Sequence, residues 1–117
     1  MKHEMKLHRE PFDEIRKGIK TIELRLYDEK RKAISVGDEI EFIHVASGEK
    51  LLCRVVALHI FDSFEELYRA LPLTKCGYTE QNVSCALPSD MDIYYSKERQ
   101  EAFGVVGIEV KKLNKNL

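Results

Sequence analysis

Apolar and polar residues alternate most cleanly at Ile22, Leu24 and Leu26, which are interleaved with Thr21, Glu23, Arg25 and Tyr27. Period two over this length predicts a strand with one apolar and one polar face. Residues 5–8 read as a short first strand. Between the two, Glu10 to Gly18 predicts a two-turn helix. Pro11 sits at its start, acids lie in the first turn and bases in the last, and Gly18 closes it. Phe12 and Ile15 share one face, so this helix docks on the sheet rather than standing alone.

Downstream, the polar run from Asp28 to Ile34 reads as a solvated connection or a single helical turn, and Val36-Gly37-Asp38 as a turn. Residues 39–46 and 50–61 are predicted strands joined by a hairpin turn at Ser47-Gly48-Glu49. The second run carries apolar residues at both parities, which predicts burial on both faces, as in a small closed barrel with a covering helix. Ser63 and Glu66 form a capping box ahead of a helix whose stripe is Phe64, Leu67, Tyr68 and Leu71, and Pro72 stops it. That stripe is core and implies no cofactor. Within residues 73–89, Gly77-Tyr78-Thr79-Glu80-Gln81-Asn82 reads as a loop over one end of the barrel. Pro88-Ser89-Asp90 opens a second helical segment carrying Met91, Tyr94 and Tyr95. Ser96 caps a further turn that ends at Gly104. Val105 to Val110 is the last strand, and the tail from Lys111 to Asn116 is expected to fray. The expected architecture is therefore a single α+β domain over residues 1–117, a small mixed β-barrel with flanking helices.

Composition narrows the function. No apolar run approaches the ~20 residues of a membrane span, and the N-terminus has no apolar signal core, so a cytoplasmic protein is expected. Cys53 falls in an apolar run, and Cys76 and Cys85 lack metal-ligand spacing. Neither a zinc site nor a structural disulfide is expected. His44 and His59 lie in strand-like runs and read as packed imidazoles. The net charge is −1. Tight binding to duplex phosphates usually comes with a strong basic excess, so a small ligand is favoured over long nucleic acid.

Candidate chemistry concentrates in Gly18-Ile19-Lys20-Thr21-Ile22-Glu23-Leu24-Arg25. On an extended strand Glu23 and Arg25 point the same way, about 7 Å apart. Lys20 has the opposite parity and joins them only if the chain bends before the strand, which Gly18 permits. From spacing alone, the cluster is either an ordinary ion pair on a solvated sheet face or a polar group lining a pocket, where neighbouring charges tune one another.

The pattern Gly18-x-Lys20-x-x-Glu23-x-Arg25 resembles the signature of the ASCH (activating signal cointegrator homology) family. The Gly37-Asp38 turn, Tyr94-Tyr95 and the closing Phe103-Gly104-Val105-Val106-Gly107-Ile108 extend the resemblance over most of the chain. It implies a PUA-like fold and a pocket lined by Lys20, Thr21, Glu23, Arg25, Tyr94 and Tyr95. Three functions then compete. The first is binding of RNA or a nucleoside or nucleotide, with Lys20 and Arg25 meeting phosphate or a base edge, Glu23 accepting from an exocyclic amine, and Tyr78, Tyr94 or Tyr95 stacking; for the tyrosines, core packing is the other reading. The second is amide hydrolysis of acylated cytidine-type nucleosides, an activity of some small family members. Their catalytic lysine matches Lys20, their threonine falls where this chain has Glu23, and Glu80 is the nearest candidate for their glutamate. Lys20 and Glu23 would then be catalytic, Glu23 as general base. The third is ribonuclease chemistry with the same groups. No metal or cofactor is called for.

Overall fold

The computed structural model describes residues 1–114. Five strands form one curled sheet in the order β1-β3-β4-β5-β2, built from β1 (Lys2–Leu7), β2 (Ile22–Leu26), β3 (Glu39–His44), β4 (Lys50–Phe61) and β5 (Val105–Lys112). Only β1 and β3 run parallel, and the other neighbours are antiparallel. The expected α+β, PUA-like architecture is borne out as a half-barrel. The sheet curls without closing, which leaves β1 and β2 as its two edges.

Two apolar clusters occupy the two faces. Phe12 and Ile15 of α1 (Arg9–Arg16) plug the first, which gathers Met5, Ile40, Phe42, Leu51, Cys53, Val55, Val106 and Ile108. The second lies between β2 and α3 (Phe64–Ala70), where Ile22, Leu24 and Leu26 meet Phe64 and Leu67. Pairing across β2 and β5 sets Glu23 opposite Ile108 and Arg25 opposite Val106. Residues directly opposite share a face. The polar side of β2 is thus turned toward the first core at the lip of the half-barrel, while its apolar side feeds the second.

Several expectations change. The longest run is not buried on both faces throughout. Leu51, Cys53 and Val55 are buried, whereas Arg54, Val56 and Ile60 are exposed. The cause is a register shift between Val55 and Ala57, with Val110 and Glu109 as their consecutive partners. Val56 is the extra residue of a bulge, and the inward parity changes there. After it, Leu58 packs on the first cluster and Phe61 on the second. The first strand begins at Lys2 rather than residue 5, and β3 stops at His44. Helix α1 begins at Arg9, so Pro11 is its third residue, not its first. The expected loop at 77–82 carries no helix or strand and is flanked by 3-10 turns at Leu73–Lys75 and Val83–Cys85, and the helical segment opened by Pro88 is a third, Pro88–Ile93. The expected turn within Asp28–Ile34 is α2 (Glu29–Lys32), and the turn after Ser96 is α4 (Lys97–Phe103). The last strand runs on to Lys112, whose Nζ donates to the Arg16 carbonyl at 2.9 Å, so Lys111 and Lys112 do not fray. Residues 115 and 116 of the expected tail lie outside the described residues.

Gly104 links α4 to β5 with φ 71° and ψ −170°, a region essentially closed to other residues. A Cβ there would stand 3.0 Å from the Phe61 carbonyl oxygen. Gly104→Ala is expected to lower unfolding free energy by about 1–3 kcal/mol, read as a drop in the urea midpoint with an unchanged slope.

Candidate functional site

The bend that Lys20 requires is present. Gly18 adopts φ +79°, and the Ile19 and Lys20 N–H groups both donate to the Glu14 carbonyl at 3.0 and 3.1 Å. This fastens the end of α1 to the approach of β2. Lys20 therefore precedes the strand, and its side chain turns back to place Nζ 2.8 Å from Glu23 Oε1. Arg25 Nε donates to Glu23 Oε2 at 2.7 Å. Each carboxylate oxygen thus holds one cation. Glu23 is 5 % exposed and Lys20 8 %. The solvated ion pair is ruled out, since the cluster forms a buried floor. Gly77 sits beside it, and a Cβ there would come within 3.7 Å of Lys20 Nζ.

Arg25 has a second role. Its Nη2 donates to the Lys6 carbonyl of β1 at 3.0 Å, so one guanidinium spans the gap between the two sheet edges. Above this seam opens a cleft of about 910 Å³. That is within the range of roughly 300–1,000 Å³ common for small-molecule sites. Lys20, Glu23 and Arg25 lie in its floor. Lys6, Leu7 and His8 from the end of β1, together with Glu10 and Glu14 of α1, form one side. Tyr68, Tyr78, Asp90, Tyr94 and Tyr95 form the other.

Of the other residues expected in the pocket, Thr21 does not line it. Its backbone is used instead, the N–H donating to the Lys75 carbonyl and its own carbonyl accepting from Val110 N–H. Glu80 is also outside the lining and exposed. The two readings of the tyrosines divide between neighbours. Tyr95 stacks on Phe64 of the second core, with centroids 6.3 Å apart and planes at 17°. Tyr94 is 65 % exposed at the rim. Tyr78 is tied by its hydroxyl to Tyr68 and Asp90. Lys6, His8, Glu10, Glu14, Tyr68 and Asp90 were not expected here. Only Tyr68 had a sequence signal, its place on the α3 stripe, and that pointed to core.

The electrostatics follow from this packing. Burial raises the pKa of Glu23, but the charges of Lys20 and then Arg25, with their hydrogen bonds, outweigh it and hold the carboxyl below its ordinary value. For Arg25, burial opposes the charge, and the Glu23 carboxylate more than compensates, so its pKa is raised. Burial pushes the Cys76 thiol, also in the cleft wall, up to about 11, with Lys20 opposing. Burial likewise raises Glu14 against the pull of Lys20. One carboxylate between two cations leaves the floor with a net charge of +1. Lysine has three N–H donors and arginine five. One of the former and two of the latter are engaged among the described residues.

The chain belongs to the ASCH domain family, whose model matches residues 5–114. Two solved structures share the fold over nearly the whole length. The crystal structure of hypothetical protein PH0355 is 34 % identical, with a TM-score of 0.78, and the match covers 97 % of this chain and 100 % of that one. The solution NMR structure of protein PF0455 from Pyrococcus furiosus is 36 % identical, with a TM-score of 0.70 and coverage of 97 % and 99 %. No curated protein matches the chain. Among the described residues no helix is long and apolar enough to cross a membrane, and no group of three or more His, Cys, Asp or Glu is arranged to hold a metal ion.

Removing one member of a buried ion cluster strands the others. Glu23→Gln is expected to cost about 3–5 kcal/mol at pH 7, measured by chemical denaturation. The native Glu23 pKa lies below its ordinary 4.5. Its contribution is therefore full above pH 4.5 and lost as the pH falls through the native value. The gap between wild type and Glu23→Gln should accordingly close in acid. A gap that is constant from pH 7 down to pH 2 would contradict the ionised cluster.

Proposed function

We propose that this protein binds a nucleotide, or a short single-stranded stretch of RNA, in the cleft above the seam. The observation that carries this reading is the pairing of a donor-rich floor of charge +1 with an exposed aromatic ring, Tyr94, at the rim of one cleft. Single-stranded recognition uses that combination, a cation for phosphate or a base edge and a flat ring for stacking. The overall charge of −1 fits a small ligand or a short segment better than a long duplex.

Hydrolysis of an acylated nucleoside and ribonuclease action both ask Glu23 to accept a proton. A carboxyl held below its ordinary pKa, with a cation on each oxygen, is a weak base for either. The favoured reading is therefore binding without turnover, and the role of Glu23 is to hold Lys20 and Arg25 in place. With both oxygens engaged, Glu23 is also a poor partner for an exocyclic amine.

Titration with uridine and cytidine monophosphates and a short oligouridylate, followed by calorimetry, tests this. Saturable binding is expected. Tyr94→Ala should weaken it by about 1–3 kcal/mol per stacked base while moving stability by less than ~0.5 kcal/mol, because the ring is exposed. With one net positive charge at the floor, the slope of log K against log salt for the oligouridylate should stay near about −0.7. Absence of saturable binding, or a Tyr94→Ala variant that binds like wild type, would sink the proposal. Release of product from an acylated cytidine would favour hydrolysis instead.

A further inference from the structure

The lining of the same cleft contains an exposed carboxylate of a different kind. Asp90 Oδ2 accepts two hydrogen bonds, from the Tyr78 hydroxyl at 2.7 Å and from Leu87 N–H at 3.1 Å. Because Tyr78 spends its proton on Asp90, its oxygen accepts from the Tyr68 hydroxyl, 2.7 Å away. The chain Tyr68–Tyr78–Asp90 thus runs from α3 across the loop to the 3-10 turn that precedes Tyr94. It fixes the carboxylate through one oxygen. The other, Oδ1, makes no hydrogen bond among the described residues, and Asp90 lines the cleft. Glu23 has both oxygens engaged by cations, and Glu10 and Glu14 have no side-chain hydrogen bond to orient them among the described residues. Asp90 alone among the cleft carboxylates is both oriented and open.

We propose that Asp90 Oδ1 is a ligand-binding acceptor that reads a hydroxyl or amine donor on the bound molecule, and that Tyr78 is its positioning residue. The inference rests on the nucleotide reading and narrows it. The cleft is dipolar, with N–H donors at the floor and an anchored acceptor on the wall. A ligand that carries an anionic group and an O–H or N–H donor satisfies both ends. A ribose hydroxyl and an exocyclic base amine share this chemistry. The hydrogen bond between Asp90 and Tyr78, then that from Leu87, keeps the Asp90 carboxyl below its ordinary pKa, which preserves the acceptor near neutral pH.

The test compares three probes, uridine 5′-monophosphate, its 2′,3′-dideoxy analogue and cytidine 5′-monophosphate, on wild type, Asp90→Asn and Tyr78→Phe. Asparagine retains a carbonyl for Tyr78 and Leu87 but turns a donor toward the ligand. Wild type should favour uridylate over its dideoxy analogue about tenfold if a hydroxyl is read, or cytidylate over uridylate about tenfold if an amine is read. Asp90→Asn should abolish that preference while binding the dideoxy compound within about twofold of wild type. Tyr78→Phe should shrink the same ratio, which a purely structural loss would leave unchanged. Wild type that binds all three equally, or an Asp90→Asn variant that weakens all three by the same factor, would overturn the assignment and leave the pocket standing. Wild type that binds none of the three would remove the pocket reading itself, and the assignment with it.

Discussion

A carboxylate buried between two cations is the constraint on which the rest of this structure depends. Glu23 cannot be taken from water without partners, and the fold supplies two, each at hydrogen-bond distance. One cation comes from the same strand, and the other from the bend after α1 that Gly18 makes. The same guanidinium then reaches Lys6 on the opposite sheet edge. A local charge problem is thus solved by an arrangement that also holds the half-barrel's edges together. The cleft exists because that join is a side chain rather than a ladder of backbone hydrogen bonds.

This dual use explains why the floor reads better as a binding surface than as a base. The forces that allow Glu23 to be buried also hold its proton affinity down. Lys20 and Arg25 keep N–H groups that Glu23 does not use. The aromatic residues around them divide the work between adjacent positions. Tyr95 anchors the segment on Phe64, and that anchor presents Tyr94 to solvent.

The convergence of Lys20, Glu23 and Arg25 was legible in the sequence because it depends on local facts, strand parity and a glycine two residues before the lysine. The α+β, PUA-like sheet was legible from its strand-like runs and from the ASCH pattern, but a closed barrel was expected and the sheet stays open between β1 and β2. The misread part of β4 has a single-residue cause. A bulge at Val56 mixes two clean alternations, and in one dimension the mixture looks like burial on both sides. The opposing wall was not legible. Asp90 acquires its meaning from Tyr78, twelve positions away, and from Tyr68 on another element. Nothing in the spacing of these residues distinguishes that contact from a solvated turn. Thr21 shows the converse, a residue just ahead of β2 whose backbone, not its hydroxyl, is what the fold uses.

The bulge has one more consequence. Because Val56 is the extra residue, Val55 and Leu58 stand three positions apart in the chain yet both face the first core. Deleting Val56 would restore plain alternation and leave Leu58 opposite Ile108 and Phe61 opposite Val105. What the bulge confers is therefore the kink and added twist that curl the longest strand around both cores, not the facing of its core residues.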